Sequence, residues 1–171
     1  MEVKKIVIVG PESTGKTELS KFLAHHYNSV WVPEFARDYL NTLGRPYREE
    51  DLLTIAKGQL TLEKNLIKNA HPFLICDTNL LVIKIWSEFK YHRCDPYILS
   101  HLKEPGVFHY LLTNIDLPWE DDPLREHPHS RGDLFALYQD ELQKQNTPFT
   151  LIQGERQQRR NQAIEVLSHF L

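Results

Sequence analysis

The sequence predicts an α/β protein built on a parallel five-stranded sheet. Five short apolar runs, at 5–9, 30–32, 73–76, 108–112 and 149–152, alternate with segments of helical periodicity. The runs are continuous rather than alternating, which suits strands covered on both faces. Strands separated by helices imply right-handed βαβ units, and hence a parallel sheet.

The elements follow in order. After the first run, Leu19, Phe22 and Leu23 mark one face of a helix that begins at about Lys16. Leu52, Ala56, Leu60, Leu66 and Ile67 predict a long helix over 49–69. A helix follows the third strand over 79–89, with Val82, Trp86 and Phe89 in one stripe. Asp95-Pro96 reads as an N-cap followed by proline at the first helical position. Leu134, Leu137, Tyr138 and Leu142 form another stripe, and Ala163, Ile164, Leu167, Phe170 and Leu171 the last. Residues 114–132 are the one long stretch without periodicity, and loops of that length usually carry function.

The chain has 171 residues, 41% hydrophobic and 25% charged, the balance of one soluble domain spanning 1–171. A net charge of −3 speaks against a nucleic-acid partner. No apolar run approaches the ~18 residues of a membrane span, and the N-terminus has no cleavage pattern. Two cysteines, Cys76 and Cys94, lack metal-ligand spacing, so a reducing cytoplasm is the expected location. His25-His26, and His127 with His129, read as surface or lid residues. Nothing in the sequence indicates an oligomeric state.

The strongest motif is the run from Gly10 through Pro11, Glu12, Ser13, Thr14 and Gly15 to Lys16 and Thr17, which matches G-x-x-x-x-G-K-[ST]. It joins the first strand to the first helix, as a phosphate-cradling loop must. Backbone N–H groups of such a loop surround the β-phosphate at a helix N-terminus. Lys16 would neutralise the β/γ charge, and the Thr17 hydroxyl is a hard ligand for Mg²⁺. ATP and Mg²⁺ are therefore the expected cofactors.

Asp77 ends the third strand, at the rim where ligands bind in open α/β sheets. It reads as a second Mg²⁺ ligand, as an N-cap for the helix over 79–89, or as both. Thr113-Asn114-Ile115-Asp116 lacks the lysine of a guanine-reading motif and reads as the end of the fourth strand. Glu34 and Arg37, with Tyr39 beyond them, follow the second strand, on a rim that can hold a phosphoryl acceptor or simply carry an i,i+3 ion pair. Residues 114–132 read as a lid whose Arg125 and Arg131 would close over the phosphates and exclude water. Gly154 suits a backbone turn beside a nucleobase; the basic run Arg156, Arg159, Arg160 lies at that edge or on a solvated helix face.

This combination resembles the P-loop ribosylnicotinamide kinases, specifically the C-terminal kinase domain of NadR-type proteins. The matching residues are Gly10–Thr17, Glu34 to Tyr39, Asp77-Thr78, and the lid residues Asp116, Pro118, Trp119, Asp122 and Arg125. The resemblance implies a three-layer P-loop kinase fold with strand order 2-3-1-4-5. It also implies transfer of the γ-phosphoryl of ATP to the 5′-hydroxyl of nicotinamide riboside, giving nicotinamide mononucleotide in NAD salvage. Lys16, Asp77, Glu34, Arg125 and Arg131 then stand as catalytic candidates. A cationic pyridinium calls for electron-rich rings, and Trp86, Tyr91 and Trp119 are the candidates. Pro123 stands where the family pattern carries glycine, so the lid's local path departs from it. A kinase for another small hydroxyl substrate, or a P-loop regulatory module without an acceptor, are the competing readings.

Overall fold

The structure, a computed structural model, describes residues 2–104 and 106–171. Five strands form one sheet: β1 (Lys4–Val9), β2 (Val30–Val32), β3 (Phe73–Asp77), β4 (His109–Thr113) and β5 (Phe149–Ile152). Their order is β2-β3-β1-β4-β5, and every pairing is parallel. Seven α-helices connect them: α1 (Lys16–His26), α2 (Phe35–Thr42), α3 (Glu49–Leu66), α4 (Leu80–Tyr91), α5 (Pro96–Leu102), α6 (Arg131–Lys144) and α7 (Arg156–Ser168).

The side-chain alternation of a strand sorts the core into two layers. From β1, Ile6 and Ile8 pack with Leu19, Leu23, Ala163 and Leu167 of α1 and α7. Val7 and Val9 face the other way, toward Leu81 and Ile85 of α4 and Leu134, Tyr138 and Leu142 of α6. A smaller cluster joins α2, α3, α4 and α5 through Ala36, Leu52, Ile55, Ile83 and Ile98. Because β1 is flanked by β3 on one side and β4 on the other, the chain direction switches there. This opens a crevice beyond the carboxyl ends of the strands.

The expected elements are present, with three local differences. The long helix ends at Leu66 and continues only as a single 3₁₀ turn, Ile67–Asn69. The fourth strand runs from His109 to Thr113, one residue later than its apolar pattern suggests, and leaves Phe108 exposed. Leu137 and Leu171 are also exposed. On α6 the buried positions are Leu134, Tyr138 and Leu142, spaced by four, and Leu137 lies about 100° around the helix from their centre. Asp95 does cap α5, its side chain accepting from the Tyr97 N–H at 2.8 Å. No helix among the described residues is long and apolar enough to cross a membrane. Both cysteines are free.

Candidate functional site

The crevice holds a cavity of about 750 Å³. The Gly10–Thr17 loop forms one end, Glu34 and Arg37 the side, and Val82, Ile85, Trp86, Phe89 and Tyr138 the far wall.

The loop's path is fixed by backbone that only certain residues accept. Gly10 has φ +146° and passes so close to β4 that a Cβ would lie 2.4 Å from Thr113 Oγ1. Gly15, in the left-handed region, is the N-cap that turns the loop into α1. Thr14 is buried; its hydroxyl meets Thr113 Oγ1 at 2.7 Å and donates to the Pro11 carbonyl at 2.8 Å. It anchors the loop to β4. Lys16 lies in the cavity with Nζ donating to the Pro11 carbonyl at 2.7 Å. Withdrawal from water lowers its pKa, and the carboxylates of Glu34 and Asp77 partly offset this.

Thr17 Oγ1 donates to Asp77 Oδ2 at 2.6 Å. Asp77 Oδ1 is buried without a hydrogen-bond partner. Asn79, not Asp77, caps α4, accepting from the Leu81 N–H at 3.0 Å, so the cap reading of Asp77 is set aside. A buried carboxylate with one free oxygen beside a threonine hydroxyl is a hard-oxygen donor set, and it fits Mg²⁺ shared with phosphate oxygens. Burial raises the Asp77 pKa, an effect a bound cation would oppose. Among the described residues no cluster of three His, Cys, Asp or Glu side chains could hold a metal by itself.

Glu34 ends the β2 loop as the N-cap of α2 and opens onto the cavity. Its pKa is raised from 4.5 to about 7 by withdrawal from water first, and then by the charge of Asp77. Arg37 lines the cavity and pairs with Asp122 of the lid at 2.9 Å.

The lid is folded down onto the loop. Glu12 accepts from the backbone N–H groups of Glu126 at 3.2 Å and His127 at 3.0 Å. Ser13 Oγ accepts from the Glu120 N–H at 2.8 Å and from Arg125 at 3.4 Å. Arg131 donates to the carbonyls of Ser13 at 3.2 Å and Leu117 at 3.0 Å. Pro123 takes the second position of a turn closed by Arg125 N–H to the Asp122 carbonyl at 3.0 Å, where its fixed φ is suitable. No described residue of the lid has a positive φ, so the missing glycine is not needed.

Six candidates are not part of the cavity wall: Asp77 and Arg131, which stand behind it and bond the lining residues Thr17 and Ser13, and Tyr39, Tyr91, Trp119 and Gly154. Tyr39 donates to buried Asp51 at 2.7 Å and, with Arg45, locks the start of α3. Tyr91 packs in the outer cluster of α2 to α5. Trp119 has the guanidinium groups of Arg125 and Arg131 about its ring at 6.0 and 5.7 Å, and its N–H bonds Asp121 at 2.8 Å. Gly154, with φ +90°, donates its N–H to Asp116 and accepts from Arg159 at 2.7 Å, so its conformation serves that turn. Trp86 is the tryptophan on the cavity wall.

The sequence gives no clear place to Arg159, which is buried and donates to the carbonyls of Thr14 at 2.7 Å and Asn114 at 3.0 Å and pairs with Asp116. It braces the loop from behind. Its spacing of four and eight from Ala163 and Leu167 was the available signal. His127 and Tyr138 also line the cavity. Tyr138 counted only as a core residue in its stripe, and His127 only as a lid residue.

A family model described as an AAA domain matches residues 5–159. The chain belongs to this family. It is 25% identical over 161 residues to the trifunctional NAD biosynthesis/regulator protein NadR of Escherichia coli K12, covering 90% of this chain and 39% of that protein. The chain thus spans well under half the length of that relative. Its fold matches a crystal structure of a NadR protein in complex with NR at TM-score 0.87 and 19% identity, over 98% of this chain and 51% of that one. It also matches thymidylate kinase from Candida albicans at TM-score 0.76 and 14% identity, over 99% of this chain and 92% of that one. The five parallel strands in the order 2-3-1-4-5 are therefore those of this fold.

Proposed function

We propose that the chain is a nucleoside kinase that transfers the γ-phosphoryl of ATP to the 5′-hydroxyl of nicotinamide riboside. The observation that carries this reading is the make-up of the cavity of about 750 Å³. It joins a phosphate loop at one end to a carboxylate of near-neutral pKa at its side and an aromatic wall at the other. A triphosphate on the loop would direct its γ-phosphoryl toward an acceptor seated against Trp86, Phe89 and Tyr138. The relative's part in NAD biosynthesis and the NR-bound NadR structure support the choice of acceptor.

The acceptor oxygen bonds to the γ-phosphorus as the bond to the β,γ-bridging oxygen breaks, and ADP leaves. Glu34 takes the hydroxyl proton, for which a pKa near the working pH is well placed. Lys16 neutralises charge on the transferring group. Thr17 and Asp77 would hold Mg²⁺, which when bound would supply positive charge to offset that of the phosphates. Arg125 and Arg131, already against the loop through Ser13, keep the lid over the reacting atoms and water out.

The test is direct detection of the phosphorylated nucleoside by mass spectrometry after incubation with ATP and Mg²⁺. The expected result is nicotinamide mononucleotide in step with ADP, and a loss of several powers of ten in folded Lys16→Ala. ADP release that ignores any added nucleoside would contradict a kinase and favour a nucleotide-driven regulatory module.

A further inference from the structure

We propose that Tyr47 is a positioning residue whose hydroxyl ties the lid to the acceptor wall. This rests on the reading of that wall given above. Tyr47 lies in the connection between α2 and α3, outside every motif of the sequence. Its hydroxyl accepts from Trp86 Nε1 at 2.8 Å and Lys90 Nζ at 2.5 Å, and donates to Glu126 Oε2 at 2.6 Å. One proton and two lone pairs are thereby all engaged.

The partners come from two elements. Trp86 and Lys90 stand one turn apart on α4; Glu126 belongs to the lid. The Tyr47 ring meets Trp86 edge-on at 4.8 Å, and the Lys90 ammonium lies 3.9 Å from the ring centroid. The lid at Glu126 and His127 is also bound by Glu12 of the phosphate loop. Two adjacent lid residues therefore span from the loop at one end of the cavity to the Trp86 wall at the other. Withdrawal from water and the hydrogen bond to Glu126 hold the phenol well above its usual pKa of 10, so it stays a donor. A phenylalanine here would keep the packing and lose the hydroxyl's bonds, leaving the Lys90–Glu126 pair at 3.3 Å as the remaining link between α4 and the lid. The device sets the orientation of Trp86 and couples it to lid closure.

The experiment compares Tyr47→Phe, Glu126→Ala and the double variant with the parent chain. Amide hydrogen exchange of the lid is followed without substrates, together with the thermal midpoint and the KM values for acceptor and ATP. In Tyr47→Phe, exchange at residues 126–127 should rise about threefold or more. KM for the acceptor should rise about fivefold, the scale of one lost hydrogen bond. KM for ATP should stay within about twofold, and the thermal midpoint should fall by no more than a few degrees. Glu126→Ala, which also removes the Lys90 pair, should act at least as strongly, and the double variant should be no worse than Glu126→Ala. Unchanged lid exchange, additive effects, or equal rises in both KM values would overturn the proposal. If the parent chain phosphorylates no nucleoside, the kinase reading fails, and the Tyr47 bridge is then decided by the exchange data alone.

Discussion

Glu34 shows how one residue can carry chemistry that its neighbours create. A carboxyl on a solvated helix start would titrate near 4.5; here burial and Asp77 move it to about 7. Two consequences follow. Transfer should rise with pH and reach half its plateau near 7, and Glu34→Gln should lose that rise and run about 10²–10⁴ times slower. Stability should move the opposite way. Between about 4.5 and 7 the folded chain binds the Glu34 proton more tightly than the unfolded chain. That contribution is complete below 4.5 and is lost as the pH rises through 7. The parent chain should therefore lose more of its thermal midpoint between pH 5 and pH 8 than Glu34→Gln does. A flat difference between the two would show that Glu34 titrates like a solvated carboxylate. The position of Glu34 after the second strand was legible in the sequence, because an acid at a strand end falls on the rim. Its pKa was not, because that depends first on burial in the crevice and then on Asp77 arriving from β3.

At the scale of elements, the lid and α2 define how the cavity closes. Arg125 and Arg131 bond Ser13 directly, through its hydroxyl and its carbonyl. Arg125→Lys and Arg131→Lys should both lower kcat more than they weaken nucleotide binding, because lysine lacks the planar fork. An unchanged kcat in the two Arg→Ala variants would reduce the segment to a solvated loop. The α2–α3 contact is equally specific. A Cβ on Gly58 would lie 2.2 Å from the Phe35 ring, the first residue of α2 and the neighbour of Glu34. Gly58→Ala should cost about 1–3 kcal/mol and disturb transfer. Gly132, in α6, has nothing within 4 Å of the same position, and Gly132→Ala should stabilise by about 0.5 kcal/mol. Thermal melts of both variants check this pair. The lid's boundaries were legible from its loss of periodicity, and its arginines from charge. The aromatic was harder to assign. Trp119 sits in a polar segment and suggested a ligand to cover, yet its ring serves Arg125 and Arg131. Trp86 was a ring candidate that its stripe with Val82 and Phe89 could equally have made core; half-buried, it lines the cavity and bonds Tyr47.

For the whole molecule, sheet order decides which distant segments meet. With β1 central, the loop after it faces Asp77 at the end of β3 and Thr113 at the end of β4. The strand and helix pattern was enough to predict a parallel sheet, while its order was legible only through the family resemblance, because periodicity does not say which strands are neighbours. The bracing by Arg159 was not legible, because it depends on α7 returning beneath the loop from the far end of the chain. The central claim is that the cavity seats a nucleoside with a cationic base between the phosphate loop and the Trp86 wall. Stacking of a desolvated cation on an aromatic face is worth up to ~2 kcal/mol, or roughly thirtyfold in affinity. The measurement that tests this most directly is kcat/KM, by coupled ADP release, for nicotinamide riboside against uridine, cytidine and adenosine. Nicotinamide riboside is expected to lead, and Trp86→Ala to erase most of that lead while KM for ATP changes little. A pyrimidine nucleoside or adenosine in first place, or a lead that survives Trp86→Ala intact, would contradict it.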